Sequence, residues 1–470
     1  MNVGIIGAGP AGITAAYELA KRGVRVEIFE AGAHVGGLAR TIDLWGQRVD
    51  LGPHRFFSKD PRVNAVWHEV AAGDYKTVKR LTRICYDGKF YDYPLRPANA
   101  LRNMGALNAA SCMMSYARQL LANRRAAPPA CTFEDWIVST FGRRLFEMFF
   151  KSYSEKLWGI PCNELDADFA AQRIKKFSLG GAVLSAVGIG RTRHKTLVDE
   201  FKHPIGGTGM IYGRMAAAVR DKGGAVHLST PVSGVTGDGC GIRFTDGHAR
   251  AFDHVVSTMP LTAMVRSLDS IPPDARAALD QLTYRNTILV YLRIDNPSLF
   301  PDQWLYVQTP KLRLGRITNF RNWGADLCTG HRDTILALEY WCNDDDAIWS
   351  TADAELIALG TRELSATGLP GHAHVLEGHV VRLPRCYPVY RTGYKQWLAP
   401  VTAHLRSLPR LTAIGRYGSF KYNNQDHSIL MGLLAAQNIA EGAHHDLWSI
   451  NTDYEEYQEQ APAEAAYVED

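Results

Sequence analysis

Gly7-Ala8-Gly9-Pro10-Ala11-Gly12 stands between an apolar run at 2–6 and an amphipathic stretch at 13–22, and a second apolar run follows at 24–30. That order is strand, glycine turn, helix, strand, and such units build parallel sheets. Gly7 permits a tight turn, Gly9 lets the backbone approach a pyrophosphate, and Gly12 lets helix and strand pack closely. The helix N-terminus, entered through Pro10 and Ala11, offers free N–H groups and the positive end of its dipole to phosphate. Glu30 ends the second run, where an acid accepts from a ribose hydroxyl. A glycine turn alone occurs in many α/β domains. The turn, both strands, the helix and Glu30 together predict a dinucleotide site.

Working outward, the 470 residues are too many for one core and predict two or three domains. With 46% hydrophobic and 21% charged residues the composition is that of a soluble globular enzyme. The net charge of +4 comes without a basic run, so no nucleic-acid footprint is expected. The eight cysteines stand singly, which excludes a zinc ribbon and a thioredoxin motif. Free thiols in a reducing, cytoplasmic compartment and no metal site are expected. The apolar N-terminus lacks a basic flank and runs straight into the glycine turn, so a first strand is expected there and not a signal peptide. No run reaches the roughly 20 apolar residues of a spanning helix.

A hairpin is expected at 83–86 and 89–93, turning at Asp87-Gly88. Helices are expected at 100–123, 133–141 and 143–153, then a glycine turn and helix over 206–219. Strands are expected at 226–228, 242–244, 254–258, 288–294, 304–308, 316–320, 335–341 and 411–414, with a last helix at 428–442. The acidic tail beyond Asp453 is expected to fray.

Three further segments narrow the dinucleotide. Gly36-Gly37-Leu38-Ala39-Arg40-Thr41 comes just after Glu30, Gly206-Gly207-Thr208-Gly209 precedes a later helix, and Gly415-Arg416 follows the final strand. As a set these resemble the flavin amine-oxidase superfamily, in which they flank FAD. The resemblance implies non-covalent FAD, with NADPH or NADH as reductant, held by Gly7, Gly9, Pro10, Ala11, Gly12, Glu30, Gly36, Gly37, Leu38, Arg40, Gly207, Gly415, Arg416 and Asn424. The implied fold is α/β: a split, doubly wound, Rossmann-like FAD domain with a helical insertion and an antiparallel-sheet substrate domain. The FAD domain would draw on 1–60, 203–265 and 409–445, the substrate domain on 61–98 and 266–408, and the helical domain on 99–202, leaving 446–470 as a tail.

Gly52-Pro53-His54-Arg55-Phe56-Phe57, residues 141–150, Tyr153 to Gly159, Arg316-Ile317-Thr318, Cys386-Tyr387-Pro388 and residues 415–426 follow one another as in UDP-galactopyranose mutases. The chain is also similar to bacterial protoporphyrinogen-oxidase-like oxidoreductases. The mutase resemblance implies that Phe149, Phe150, Tyr153 and Trp158 line a nucleotide and sugar pocket, where flat rings stack. It places Arg316 on a substrate diphosphate with Tyr387 and Tyr422 donating hydroxyls, and His54 beside the flavin ring. Phe149 and Phe150 equally fit core positions of a helix, Arg316 a surface ion pair, and His54 a structural role. The sequence departs from the mutases in two places. Lys175 and Lys176 stand by a Gly-rich lid where the mutases carry an arginine, and the resemblance makes Lys175 or Lys176 the substrate-binding point charge in its place, without the planar fork; Asn424 replaces an aspartate. Both weigh against UDP-galactose itself.

Three functions follow. The first is a pyranose/furanose mutase-type enzyme on a sugar diphosphate, with reduced flavin N5 as nucleophile. The second is a net oxidoreductase passing hydride to the flavin. The third is a binding protein without flavin, as in the Rab GDP-dissociation inhibitors that resemble this fold. The partner in the first two is a small molecule, and a homo-oligomer is compatible with all three.

Overall fold

The computed structural model describes residues 1–125, 131–169, 200–236 and 239–450. Lys175 and Lys176, the expected lid and the tail beyond Asp453 lie outside them.

A five-stranded parallel sheet has the order Leu411–Ala413, His254–Ser257, Asn2–Ile6, Arg25–Phe29, Ala225–His227. Its strands come from three separated stretches of chain. Asn2–Ile6 sits in the middle because its side chains are buried on both faces, as a central parallel strand requires. The helix Pro10–Lys21 is buried along nearly its whole length. One flank meets the helix Gln425–Glu441 at very short range. A Cβ on Gly432 would lie 2.5 Å from the Ala11 carbonyl oxygen, so only small residues permit this approach.

The second sheet has seven strands, in the order Val375–Pro388, Tyr284–Ile294, Thr334–Cys342, Arg316–Asn319, Trp304–Val307, Thr82–Tyr86, Lys89–Asp92. It is antiparallel except where Trp304–Val307 pairs parallel with Thr82–Tyr86. The last two strands form the expected hairpin. Asp87 at φ 47° and Gly88 at φ 72° give it the left-handed pair that a two-residue turn needs. Thr334–Cys342 is buried throughout. Leu336, Leu338 and Tyr340 pack into one apolar cluster, and Ile335, Ala337 and Trp341 into another, so the sheet is covered on both faces.

The expected helix 100–123 is two helices, Pro97–Met104 and Ala106–Arg125, because Gly105 between them sits at φ 77°. The stretch expected to be helical over 143–153 continues through a π-turn at Glu147–Lys151 to Trp158. Among the elements not expected from the sequence are the helices Pro61–Ala71, Asp353–Ala366 and Tyr394–Arg406, the ribbon of Tyr75–Lys79 with Glu200–Pro204, and the strand Val375–Pro388. The last lies at the sheet edge, half exposed, with a proline inside, and so lacks the apolar alternation of an inner strand. No helix among the described residues is long and apolar enough to cross a membrane.

Candidate active site

The ends of the strands Asn2–Ile6 and Arg25–Phe29 and residues within the second sheet meet at one cavity of about 560 Å³. From the first glycine turn come Gly7, Gly9, Pro10 and Ala11, and beside them Glu30, Gly37 and Leu38. His54, Arg316, Tyr387, Tyr422, Gly415, Arg416 and Asn424 line the same cavity. Gly7 and Asn424, 417 positions apart in sequence, therefore share one site.

The dinucleotide end fits FAD. Gly7 sits at φ 92°, and a Cβ on Gly12 would lie 2.1 Å from the Gly7 carbonyl oxygen. The turn is thus closed against any larger side chain. The helix Pro10–Lys21 has Gly9 as its N-cap with no side-chain cap and no acid in its first turn, which leaves its N-terminal N–H groups to an anion. The helix Gln425–Glu441 also begins at the cavity, with Asn424 as an N-cap that makes no side-chain cap bond. Glu30 accepts from the Ala8 and Gly32 N–H groups, both at 2.8 Å, which fixes its carboxylate at the end of its strand.

Gly12 and Gly36 do not line the cavity but shape the turn. Gly36, at φ 103°, donates its N–H to the Ala8 carbonyl at 2.8 Å. Arg40 lines a smaller recess with His34 and Arg220. Gly207 packs on Thr41 and Asp50, where a Cβ would lie 2.4 Å from the Thr41 hydroxyl.

The other end of the cavity carries a buried ion pair on two neighbouring strands. Arg316 stands directly opposite Glu339 in the strand register. Its Nε donates to one Glu339 oxygen at 2.6 Å and its Nη2 to the other, and Nη2 also lies 3.5 Å from the Tyr387 hydroxyl. Burial works against the Arg316 charge, but the Glu339 carboxylate outweighs it and holds the guanidinium ionised. Arg416 donates to the Cys386 and Asn423 carbonyls and lies over the rings of Tyr387 and Tyr422, 4.7 and 4.2 Å from their centroids. Those two rings stack on each other at 5.4 Å. Burial pushes the Tyr387 hydroxyl pKa up, so it remains a hydrogen-bond donor.

His54 is held neutral. Burial lowers its pKa to about 4, against the pull of Asp50 and with Arg316 and Arg416 adding to the lowering. Its buried Nδ1 has no hydrogen-bond partner among the described residues. Behind it, fully buried Asp50 accepts from the Thr41 hydroxyl at 2.5 Å and from the Thr208 N–H at 3.1 Å, and pairs with His203 at 3.2 Å. Burial works against the Asp50 charge, but these partners lower its pKa overall.

The structure does not bring the remaining aromatic residues to the cavity. Phe149 packs edge-on against Tyr91, Phe150 stacks on Phe141, and Tyr153 meets Tyr306 and Trp341 edge-on. Trp158, 1% exposed, packs behind the tyrosine pair against Phe169, Tyr387, Tyr390 and Tyr422. Helical spacing cannot tell a core ring from a pocket ring, and here the helices turn these rings inward. Glu339, Asp50 and His203 were not singled out from sequence. Glu339 had a visible signal, since it is the only charge in the strand Thr334–Cys342. Asp50 and His203 had none, because their pairing spans 153 residues.

The chain matches the family of flavin-containing amine oxidoreductases over residues 10–440. It is 23% identical over 438 residues to a coproporphyrinogen III oxidase of Mycobacterium leprae, covering 88% of this chain and 93% of that protein. It is 26% identical over 185 residues to a protein described as a probable UDP-galactopyranose mutase of Klebsiella pneumoniae, a stretch covering 38% of this chain and 46% of that one. The crystal structure of a reduced UDP-galactopyranose mutase superposes with a TM-score of 0.84 at 22% identity over 96% of both chains, a likeness of fold. With the family match the flavin-free alternative falls away. The chain belongs to the flavin-containing amine oxidoreductase family and is an FAD-dependent enzyme.

Proposed function

We propose that this flavoenzyme isomerises a sugar diphosphate between its ring forms, with FAD held non-covalently and kept reduced by NADPH or NADH. The carrying observation is that Arg316, Arg416, Tyr387 and Tyr422 cluster in the same cavity as the glycine turn. A diphosphate gains charge as the anomeric C–O bond breaks, and a preformed group of donors stabilises that charge without reorganising. Arg316 is pre-oriented by Glu339, and the Tyr387 hydroxyl is a protonated donor beside it. Bound reduced flavin would supply the nucleophile for the anomeric carbon. Neutral His54 adds no charge next to it.

The test is turnover by dithionite-reduced protein with a panel of UDP- and dTDP-sugars, resolved by chromatography. Ring-isomerised product from the reduced protein alone supports the reading. Failure with the whole panel, together with bleaching of the oxidised flavin by a porphyrinogen, overturns it.

A second reading, a net oxidoreductase, is favoured by one observation. Phe149 and Trp158 are buried, Phe150 and Tyr153 are half-buried in ring contacts, and none of the four lines the cavity, which leaves fewer rings for a nucleotide base to stack on. The porphyrinogen arm of the same test addresses it.

A further inference from the structure

Residues 93–133 contain five arginines, no lysine and no acid. Within them the helix Ala106–Arg125 turns a row of apolar side chains to the outside. Leu107 is 90% exposed, Leu121 60% and Met114 57%, with Met113 and Leu120 exposed beside them. Positions 107, 114 and 121 recur every seven residues and share one face, and the opposite face buries Ala109 and Cys112. Leu101, on the preceding helix, is exposed as well. Single exposed leucines are ordinary, but a continuous row of them is not.

We propose that this face docks the enzyme onto an anionic lipid surface. The helix is not apolar enough to span a bilayer, which leaves it to lie in the interface. Arg102 and Arg118 are exposed and have no ion pair among the described residues, so their charge is available to lipid phosphates. A symmetric second copy is the poorer occupant, because it would set this arginine-bearing stretch, which has no acid of its own, against itself.

The experiment is co-sedimentation of the FAD-loaded full chain with phosphatidylcholine vesicles containing about 30% phosphatidylglycerol. Binding is expected, with loss at about 0.5 M NaCl and at least roughly tenfold weaker capture by pure phosphatidylcholine. Leu107→Glu/Leu121→Glu and Arg102→Glu/Arg118→Glu should each lower capture by roughly tenfold. Both should keep the flavin and the melting temperature, since all four side chains are exposed. No binding to the anionic vesicles, or unchanged binding by both variants, overturns the proposal. So does a dimer that Leu107→Glu/Leu121→Glu dissociates when no vesicle binding is found.

Discussion

Arg316 and Glu339 face each other across adjacent antiparallel strands and join through both edges of the carboxylate, with Glu339 2% exposed and Arg316 15%. Removing one partner of such a pair leaves the other charged and buried. Arg316→Ala is therefore expected to cost about 3–5 kcal/mol of stability, and Arg316→Met/Glu339→Gln much less. Turnover should fall by about 10²–10³-fold in both, because both lack the guanidinium at the cavity wall. Denaturant melts and steady-state rates check this. A double variant as unstable as the single one would contradict the pairing energetics.

Glu30 accepts two backbone N–H groups at the end of the glycine turn. Glu30→Ala should weaken FAD binding by about 1.5–3 kcal/mol, the strength of a charged hydrogen bond. Titration of the apoprotein followed by flavin fluorescence measures this. Unchanged affinity would remove Glu30 from the ribose role.

Gly12→Ala should abolish stoichiometric flavin, because the new methyl group would lie 2.1 Å from the Gly7 carbonyl oxygen and force the turn open. The ratio of flavin absorbance to protein in the purified variant reports it directly.

His54 makes stability fall with acid. Its pKa is 6.5 in the unfolded chain and about 4 in the folded one, so the unfolded state binds the proton first. The contribution is fully present above pH 6.5 and is lost as pH falls from 6.5 to 4, at up to about 1.4 kcal/mol per pH unit. Asp50 acts later, since its lowered pKa places its loss below the ordinary carboxylate value of 3.8. Melting curves over this range should be flatter for His54→Asn than for the wild type. An equal slope would mean that His54 is not buried neutral.

Trp158 fills space behind Tyr387 and Tyr422 and lines no part of the cavity. Trp158→Ala should cost about 3–5 kcal/mol of stability, and Trp158→Phe should keep most of both stability and turnover. A Trp158→Phe enzyme that is stable yet fails to bind substrate would return the residue to the pocket.

Several local elements were legible because they follow from short-range chemistry. The turn at Gly7–Gly12 needs glycines for backbone space, the strand Asn2–Ile6 needs continuous apolar burial, and Asp87-Gly88 needs positive φ. The break at Gly105 was a single glycine in a helical pattern, which sequence alone reads as tolerated. Arg316, Tyr387 and Tyr422 were named from the resemblance, but no pattern tells that the first is tied to Glu339 and the other two lie under Arg416.

What the sequence by itself determined is the turn at Gly7–Gly12 with the strands and helix that flank it and the hairpin turn at Asp87-Gly88, because each depends on neighbours a few residues apart. What only the tertiary structure decided is which side chains share the cavity. Phe149 and Trp158 go to the core, Phe150 and Tyr153 pack half-buried against it, Glu339 comes to the wall, and Leu107, Met114 and Leu121 stay outside. Periodicity tells that a helix or strand has an apolar face; only the packing of distant elements decides whether that face meets the core, the cavity or the exterior.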